Sequence, residues 1–436
     1  MQIKPYQKYI ESGIEWIGKI PEEWEVRRFP SFGFFSSSGI NKKTEPDEPL
    51  VKMVNYTDIY GNDSLVIDSK RELMTVSCPK GKIFFCDLKK GDIVFTPSSE
   101  TEVDIGLSAV ILENLKSTVF SYHVIRFRTN IKMNLHYKKY IGNNHFVLSQ
   151  FSSICKGTTR QILTHNDFKS ILTILPPFQD QIVIANFLDK KIAEIDDLIE
   201  KDKKLIELLK EKRTALINHA VTKGLDLNLK MKESGIEWIG EIPEGWKIEK
   251  LKFNIYEKKV KDTNKNLNTK FIGLENIESE TGNLISFSTL EEIDGGSIKF
   301  RENNVLFCKL RPYLAKVIKV DFRGSCTGEL AVYEVRGKVN SQFLFYRLLS
   351  KSFIDLINSA TYGVKMPRVN STQLNDIKIA WPSLSEQTAI AKYLDKETAK
   401  IDKTIQKIEQ KIILLEEYKK SLIHHVVTGK IDVREV

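Results

Sequence analysis

The sequence predicts an α+β protein: two globular mixed α/β domains separated by two long antiparallel coiled-coil helices, organised as an internal pseudo-two-fold repeat. Three observations predict it. Residues 11–26 (ESGIEWIGKIPEEWEV) recur as 233–248 (ESGIEWIGEIPEGWKI), identical at 12 of 16 positions with an offset of 222. Residues 181–196 (QIVIANFLDKKIAEID) recur as 387–402 (QTAIAKYLDKETAKID) at an offset of 206, and the match runs on to ALINHAVT (215–222) against SLIHHVVT (421–428). Between these blocks each half carries a dissimilar segment, about 27–175 and 249–380. Self-similarity on this scale sets the architecture before any local reading does. The expected boundaries are a first globular domain 1–178, a first helix 179–222, a linker 223–232, a second globular domain 233–384, a second helix 385–428 and a tail 429–436. The tail GKIDVREV aligns with KGLDLNLK after Thr222, so termini lying close together would close the repeat on itself.

The opening blocks hold four of the five tryptophans, Trp16, Trp24, Trp238 and Trp246, expected to anchor each variable segment to the helices. In the variable segments VIRFRTN (124–130) alternates, placing Arg126 and Arg128 on one strand face with Ile125 and Phe127 opposite. The stretch NVLFCKLRPYLAKVIKV alternates likewise, with Lys309 and Arg311 sharing a face. Each segment ends in a glycine-basic loop, SICKGTTRQ (153–161) and ATYGVKMPRV (360–369), ahead of a proline-led turn. Beyond those turns no Gly or Pro occurs from Gln181 to Thr222 or from Gln387 to Thr428. Ile192, Ile195, Ile199, Ile206, Leu209 and Leu216 keep a 3-4 spacing, with Asp202 and Arg213 interrupting it. Ile401, Ile405, Ile408, Ile412, Leu415 and Leu422 repeat that spacing, with Lys419 where Arg213 stood. A single apolar seam of this kind suits a coiled coil whose partner is the other repeat. Ser385 is a weak candidate cap for the second helix.

Composition narrows the function. Hydrophobic residues make up 41% and charged residues 28%, ordinary for a globular chain. No apolar run reaches membrane-spanning length, and the N-terminus lacks a signal-peptide core. The five cysteines form no CxxC pair, which fits the cytoplasm and argues against a disulfide framework or zinc ribbon. The net charge of +9 is unevenly placed. Residues 126–160 hold seven Lys/Arg and no Asp or Glu, and 299–323 hold seven against two, whereas helix 181–223 has nine against eight. Phosphate neutralisation therefore falls to the variable segments. The glycines permit tight loops from which Lys156, Arg160, Lys365 and Arg368 reach a phosphate or a guanine edge. The plainer alternative is a structural hairpin whose arginines pair with carboxylates. His219, His424 and His425 lie near helix ends, where capping or surface roles outweigh metal binding. No P-loop, GxGxxG, HExxH or EF-hand occurs, nor a GxSxG around Ser98-Ser99, so no catalytic constellation stands out.

In this order and duplicated, the motifs resemble the specificity subunit of type I restriction–modification systems across essentially the whole chain. They are the paired ESGIEWIG blocks, KGDIVFTPSSE, LRPYLAK with GVKMPRV, and the turns PPFQDQIVIANFLD and WPSLSEQTAIAKYLD. Asp180 in the first turn replaces Glu386 of the second, a mild departure. The resemblance implies a non-catalytic chain whose two target-recognition domains each read one half of a split double-stranded DNA site. It implies helices that dock two modification subunits, which are S-adenosylmethionine-dependent adenine-N6 methyltransferases. A restriction subunit using ATP and Mg can join them. This chain itself would bind no cofactor or metal, and no membrane. Dissimilar domains predict an asymmetric target. The candidate DNA contacts are Arg126, Arg128, Lys156, Thr158, Thr159, Arg160, Lys309, Arg311, Tyr313, Lys365 and Arg368. The candidate partner-binding helix positions are Leu188, Ile195, Ile199, Leu394, Ile401 and Ile405. A rival reading is a coiled-coil scaffold whose basic domains bind acidic partners without reading sequence. An enzyme is a third, and lacks a motif.

Overall fold

The computed structural model describes residues 5–434 except 227, 262–268, 290–296 and 364. Val364 of the second glycine-basic loop and the two chain ends therefore lie outside the described residues. The chain forms two compact units, 1–201 with 410–436 and 202–409. Each unit thus holds one variable segment and half of each long helix.

In the first unit, strands Tyr9–Glu11 and Lys19–Pro21 form a hairpin from the opening block. An antiparallel run follows in the order Gly33–Ser37, Ile125–Thr129, Ile93–Phe95 and Ser108–Ile111, with Val66–Ile67 added in parallel at its edge. A second sheet pairs Thr118–Phe120 in parallel with Leu50–Val54, which Met74–Ser77 flanks. Phe29, Phe32, Phe95, Phe127, Phe151 and Phe168 fill the core beneath the first sheet. The second unit repeats the plan. Ile255–Lys258, Leu330–Val335, Val305–Cys308 and Val317–Lys319 form the antiparallel sheet, and Lys270–Ile272 pairs in parallel with Gly324–Thr327. Two segments of little sequence similarity therefore carry one strand order.

The long helices span Phe178–Lys223 and Leu384–Val427, 46 and 44 residues, or roughly 69 and 66 Å at 1.5 Å per residue. They end at Gly224 (φ 82°) and Gly429 (φ 72°), left-handed positions that glycine takes without strain. The second starts with the Ser383 hydroxyl accepting from the Glu386 N–H at 3.3 Å; Ser383, not Ser385, provides the cap. The first unit joins the N-terminal half of the first helix to the C-terminal half of the second, as an antiparallel pair requires. There Ile195 and Ile199 pack in one core with Leu422, Ile412 and Leu415. The charges that interrupt the seam are paired. Lys419 binds Asp196 at 2.6 Å in the first unit, and Arg213 binds Asp402 at 2.9 Å in the second. These pairs are repeats of one another at the offset of 206.

The tryptophans tie the opening blocks to the helix starts. Trp24 Nε1 donates to Asp180 Oδ2 at 2.9 Å, and its repeat Trp246 donates to Glu386 Oε1 at 3.0 Å. The Asp/Glu exchange keeps the acceptor. Trp16 lies against Phe146, and Trp238 under the buried Arg347 guanidinium. The two ends of the chain meet in the first unit: Tyr9 Oη donates to the Gly429 carbonyl, and Lys430 Nζ to the carbonyls of Ile17 and Lys19.

Candidate nucleic-acid interface

The glycine-basic loops are equivalent hairpins. In the first unit the backbones of Lys156 and Ile162 exchange hydrogen bonds at 3.2 and 2.9 Å, and strand Gln161–Ile162 lies against Ser98–Ser99. Gly157 sits at φ 141°, and a Cβ there would meet the Arg160 carbonyl at 2.0 Å, so the turn needs glycine. In the second unit Tyr362 and Arg368 exchange the same bonds at 3.1 and 3.0 Å. Both hairpins close at positions separated by 206 residues, the helical offset.

The first hairpin exposes Lys156, Thr158, Thr159 and Arg160. The Arg160 guanidinium lies 5.8 Å from the Tyr56 ring, which stacks on Tyr60 at 5.1 Å and 17°. Burial, then the charges of Arg160 and Lys42, push the His123 imidazole below its usual range. Stacked tyrosines beside an exposed arginine are the pairing that bases and phosphates favour.

The second hairpin is built into its neighbours. Arg311 N–H donates to the Pro367 carbonyl at 2.7 Å, and Val369 N–H to the Lys309 carbonyl at 3.0 Å. Arg311 (φ 49°) and Ala315 (φ 46°) hold left-handed conformations around the short turn Pro312–Leu314. Such conformations cost roughly 1–3 kcal/mol each and persist where surrounding structure enforces them. The result presents Arg311, Tyr313, Lys365 and Arg368 outward, with Lys309 half-buried. Arg368 Nη2 also pairs with Glu329 at 2.6 Å, the structural role weighed for these loops.

Arg126 and Arg128 stand differently. Residues 85–92 cover their face of the sheet, so both faces of strand 125–129 are packed and alternation there does not mean exposure. Arg126 is 4% exposed and donates to the carbonyls of Phe85 and Asp87, to Asp87 Oδ1 and to Ser36 Oγ. Burial lowers its pKa. Arg128 chelates Asp92 through Nε and Nη2, both at 2.7 Å, and that hydrogen bonding raises its pKa. Arg126 is thus covered in this structure, and Arg128 is held by Asp92 and Asp87. The candidate helix positions are covered as well. Leu188, Ile195, Ile199, Leu394, Ile401 and Ile405 are each at most 8% exposed and fill the units' own cores. The apolar residues left open on the helices are others, among them the repeat-related Leu208 and Leu414.

Spacing missed Tyr56 and Tyr60, because aromatic residues in a loop carry no period. The available signal was NYTDIY, two tyrosines four apart behind an Asn cap. Among the described residues no helix is long and apolar enough to cross a membrane.

Comparison with known proteins agrees with this geometry. The family model for the type I restriction modification DNA specificity domain matches residues 21–208 and 243–414. The EcoDI specificity subunit of Escherichia coli is 25% identical over 58% of this chain and 60% of its own length, so that alignment spans less than two thirds of the relative. The putative MjaX specificity subunit of Methanocaldococcus jannaschii is 25% identical over 96% of both chains. Among solved structures, a chain from a type I R-M system aligns with a TM-score of 0.71 at 14% identity, covering 94% of this chain and 99% of that one. The HsdS subunit of Thermoanaerobacter tengcongensis gives 0.55 at 14% identity, covering 94% and 98%.

Proposed function

We propose, for a chain that belongs to the type I restriction–modification DNA specificity family, that each unit reads one half of a bipartite, asymmetric DNA target through its basic hairpin. Membership of the family makes the chain a specificity subunit whose task is DNA target recognition. The observation that carries the finer reading is the duplicated hairpin. Both units close a glycine loop at equivalent positions, on the same strand order, and both expose cations there. The tips differ in sequence: Lys156, Thr158, Thr159 and Arg160 in one, Lys365 and Arg368 beside Arg311 and Tyr313 in the other. One scaffold with different tips suits two different half-sites, since bidentate side chains discriminate bases by about 1–3 kcal/mol each.

The chain contributes recognition, not chemistry. Base flipping and methyl transfer belong to modification subunits bound on the open helix faces that carry Leu208 and Leu414, with S-adenosylmethionine in those subunits. Two such subunits fit a duplicated surface. Co-expression with the cognate modification subunit and mapping of N6-methyladenine tests the reading. A split asymmetric motif with a fixed gap is expected; a soluble complex that adds no motif would favour the sequence-blind scaffold.

A further inference from the structure

Residues Lys80–Phe85 form a short helix that ends in two of the most exposed large apolar side chains of the described residues. Phe84 is 75% exposed and Phe85 73%, their rings edge to face at 5.7 Å. Two adjacent exposed rings leave a large apolar area in water, so the open pair signals a surface that is covered in use. Its surroundings are cationic. Lys80 and Lys82 are exposed on the same helix, and Lys82 Nζ lies where a side chain on Gly39 would stand, at 3.3 Å.

Contacts connect this helix to the first hairpin. The Phe85 carbonyl is fixed by Arg126, so the helix end is rigidly placed. From Gly39 the chain passes to Ile40, whose carbonyl accepts from the N–H of exposed Tyr122. Next comes His123, on which the fields of Arg160 and Lys42 both fall. Arg160 in turn sits by Tyr56 and Tyr60. Successive neighbours in the first unit thus lead from the phenylalanine pair and Lys82 through Gly39, Ile40 and Tyr122 to His123, which feels Arg160 and Lys42. Apolar side chains framed by cations match a duplex, in which phosphates flank the base stack.

We propose that Phe84 and Phe85 form an apolar wedge that inserts into the base stack of the bound DNA beside the hairpin at 156–162. Such insertion unstacks a step and kinks the duplex, and stacking of this kind tolerates sequence. The inference rests on the DNA-reading proposal above, and its test separates the two.

The experiment uses the full chain in complex with its modification subunit and a duplex carrying the methylome-defined target. 2-Aminopurine is placed in turn along one half-site and then the other. The wild-type complex should raise fluorescence at one step of a single half-site. Phe84→Ser/Phe85→Ser should abolish that rise and weaken binding about tenfold, with the salt slope unchanged because no phosphate contact is lost. Both residues are solvent-exposed, so folding is spared, and an unchanged melting temperature verifies this. Specific wild-type binding without a fluorescent step overturns the wedge, as does wild-type affinity in the double variant. Loss of the modification subunit from the variant on gel filtration overturns it too, and assigns the pair to protein docking. Failure of the wild type itself to bind the target selectively would remove the underlying reading together with the wedge.

Discussion

At the scale of single residues, arginines that look alike in sequence divide by what covers them. Arg126 lies under residues 85–87, whereas Arg160 stands on a hairpin tip. Arg126→Ala should therefore lower stability by about 2–3 kcal/mol, because charged hydrogen bonds and buried acceptors are lost. The folded variant should keep the wild-type salt slope of DNA binding, because no phosphate contact is lost. Arg160→Ala and Arg368→Ala should leave the melting temperature within a degree or two. Each should weaken target binding by about 1–3 kcal/mol if it reads a base, or reduce the salt slope by about one if it binds phosphate. Anisotropy titrations at several salt concentrations read both quantities; unchanged affinity and slope for both variants would remove the hairpins from the interface. His424 sets a pH dependence. Burial, then His425, His145 and Lys430, push its pKa to about 4, against about 6.5 in the unfolded chain. Between those values the unfolded chain takes up a proton that the folded chain refuses, so stability falls as pH drops from 6.5 towards 4. His424→Gln should lose less melting temperature between pH 7.5 and pH 5 than the wild type, and an equal loss would contradict this origin.

At the scale of elements, the long helices were readable because period and absence of breakers are local signals. Their seam and its polar interruptions occupy the predicted positions: Arg213 is 7% exposed and Lys419 binds Asp196. The sheets were legible only as alternation. That pattern predicted strand 125–129 and missed that a second layer covers the arginine face, since long-range cover leaves no period. The repeat itself reaches further than identity suggested. Gln181 and Gln387 accept from the N–H groups of Asn134 and Asn340, and Tyr140 and Tyr346 donate to Asp189 and Asp395, all at the offset of 206. The asparagines and tyrosines of these pairs sit in segments that read as dissimilar, while their partners lie in the repeated helix blocks, so a few polar anchors suffice to fix a shared fold. The repeated ion pairs give an element-scale prediction. Arg213 also donates to the carbonyls of Glu280 and Thr281, so Arg213→Ala should cost about 2–3 kcal/mol. Lys419→Ala, whose Asp196 partner is more exposed, should cost about 1 kcal/mol or less. Urea midpoints of the two variants decide it, and equal costs would contradict the assigned difference.

At the scale of the whole molecule, fixed blocks build the helices and opening anchors while variable segments form the hairpin tips. On the proposed reading, recognition is thereby separable from assembly. The anchors Trp24–Asp180 and Trp246–Glu386 lie in the fixed blocks, so a foreign variable segment keeps its attachment. Exchange of residues 27–175 for the corresponding segment of another family member, followed by mapping of N6-methyladenine in cells with the modification subunit, tests this most directly. The account predicts a methylated motif with one half replaced and the other half unchanged. A motif altered in both halves, or in neither, would contradict the assignment of one half-site to each unit.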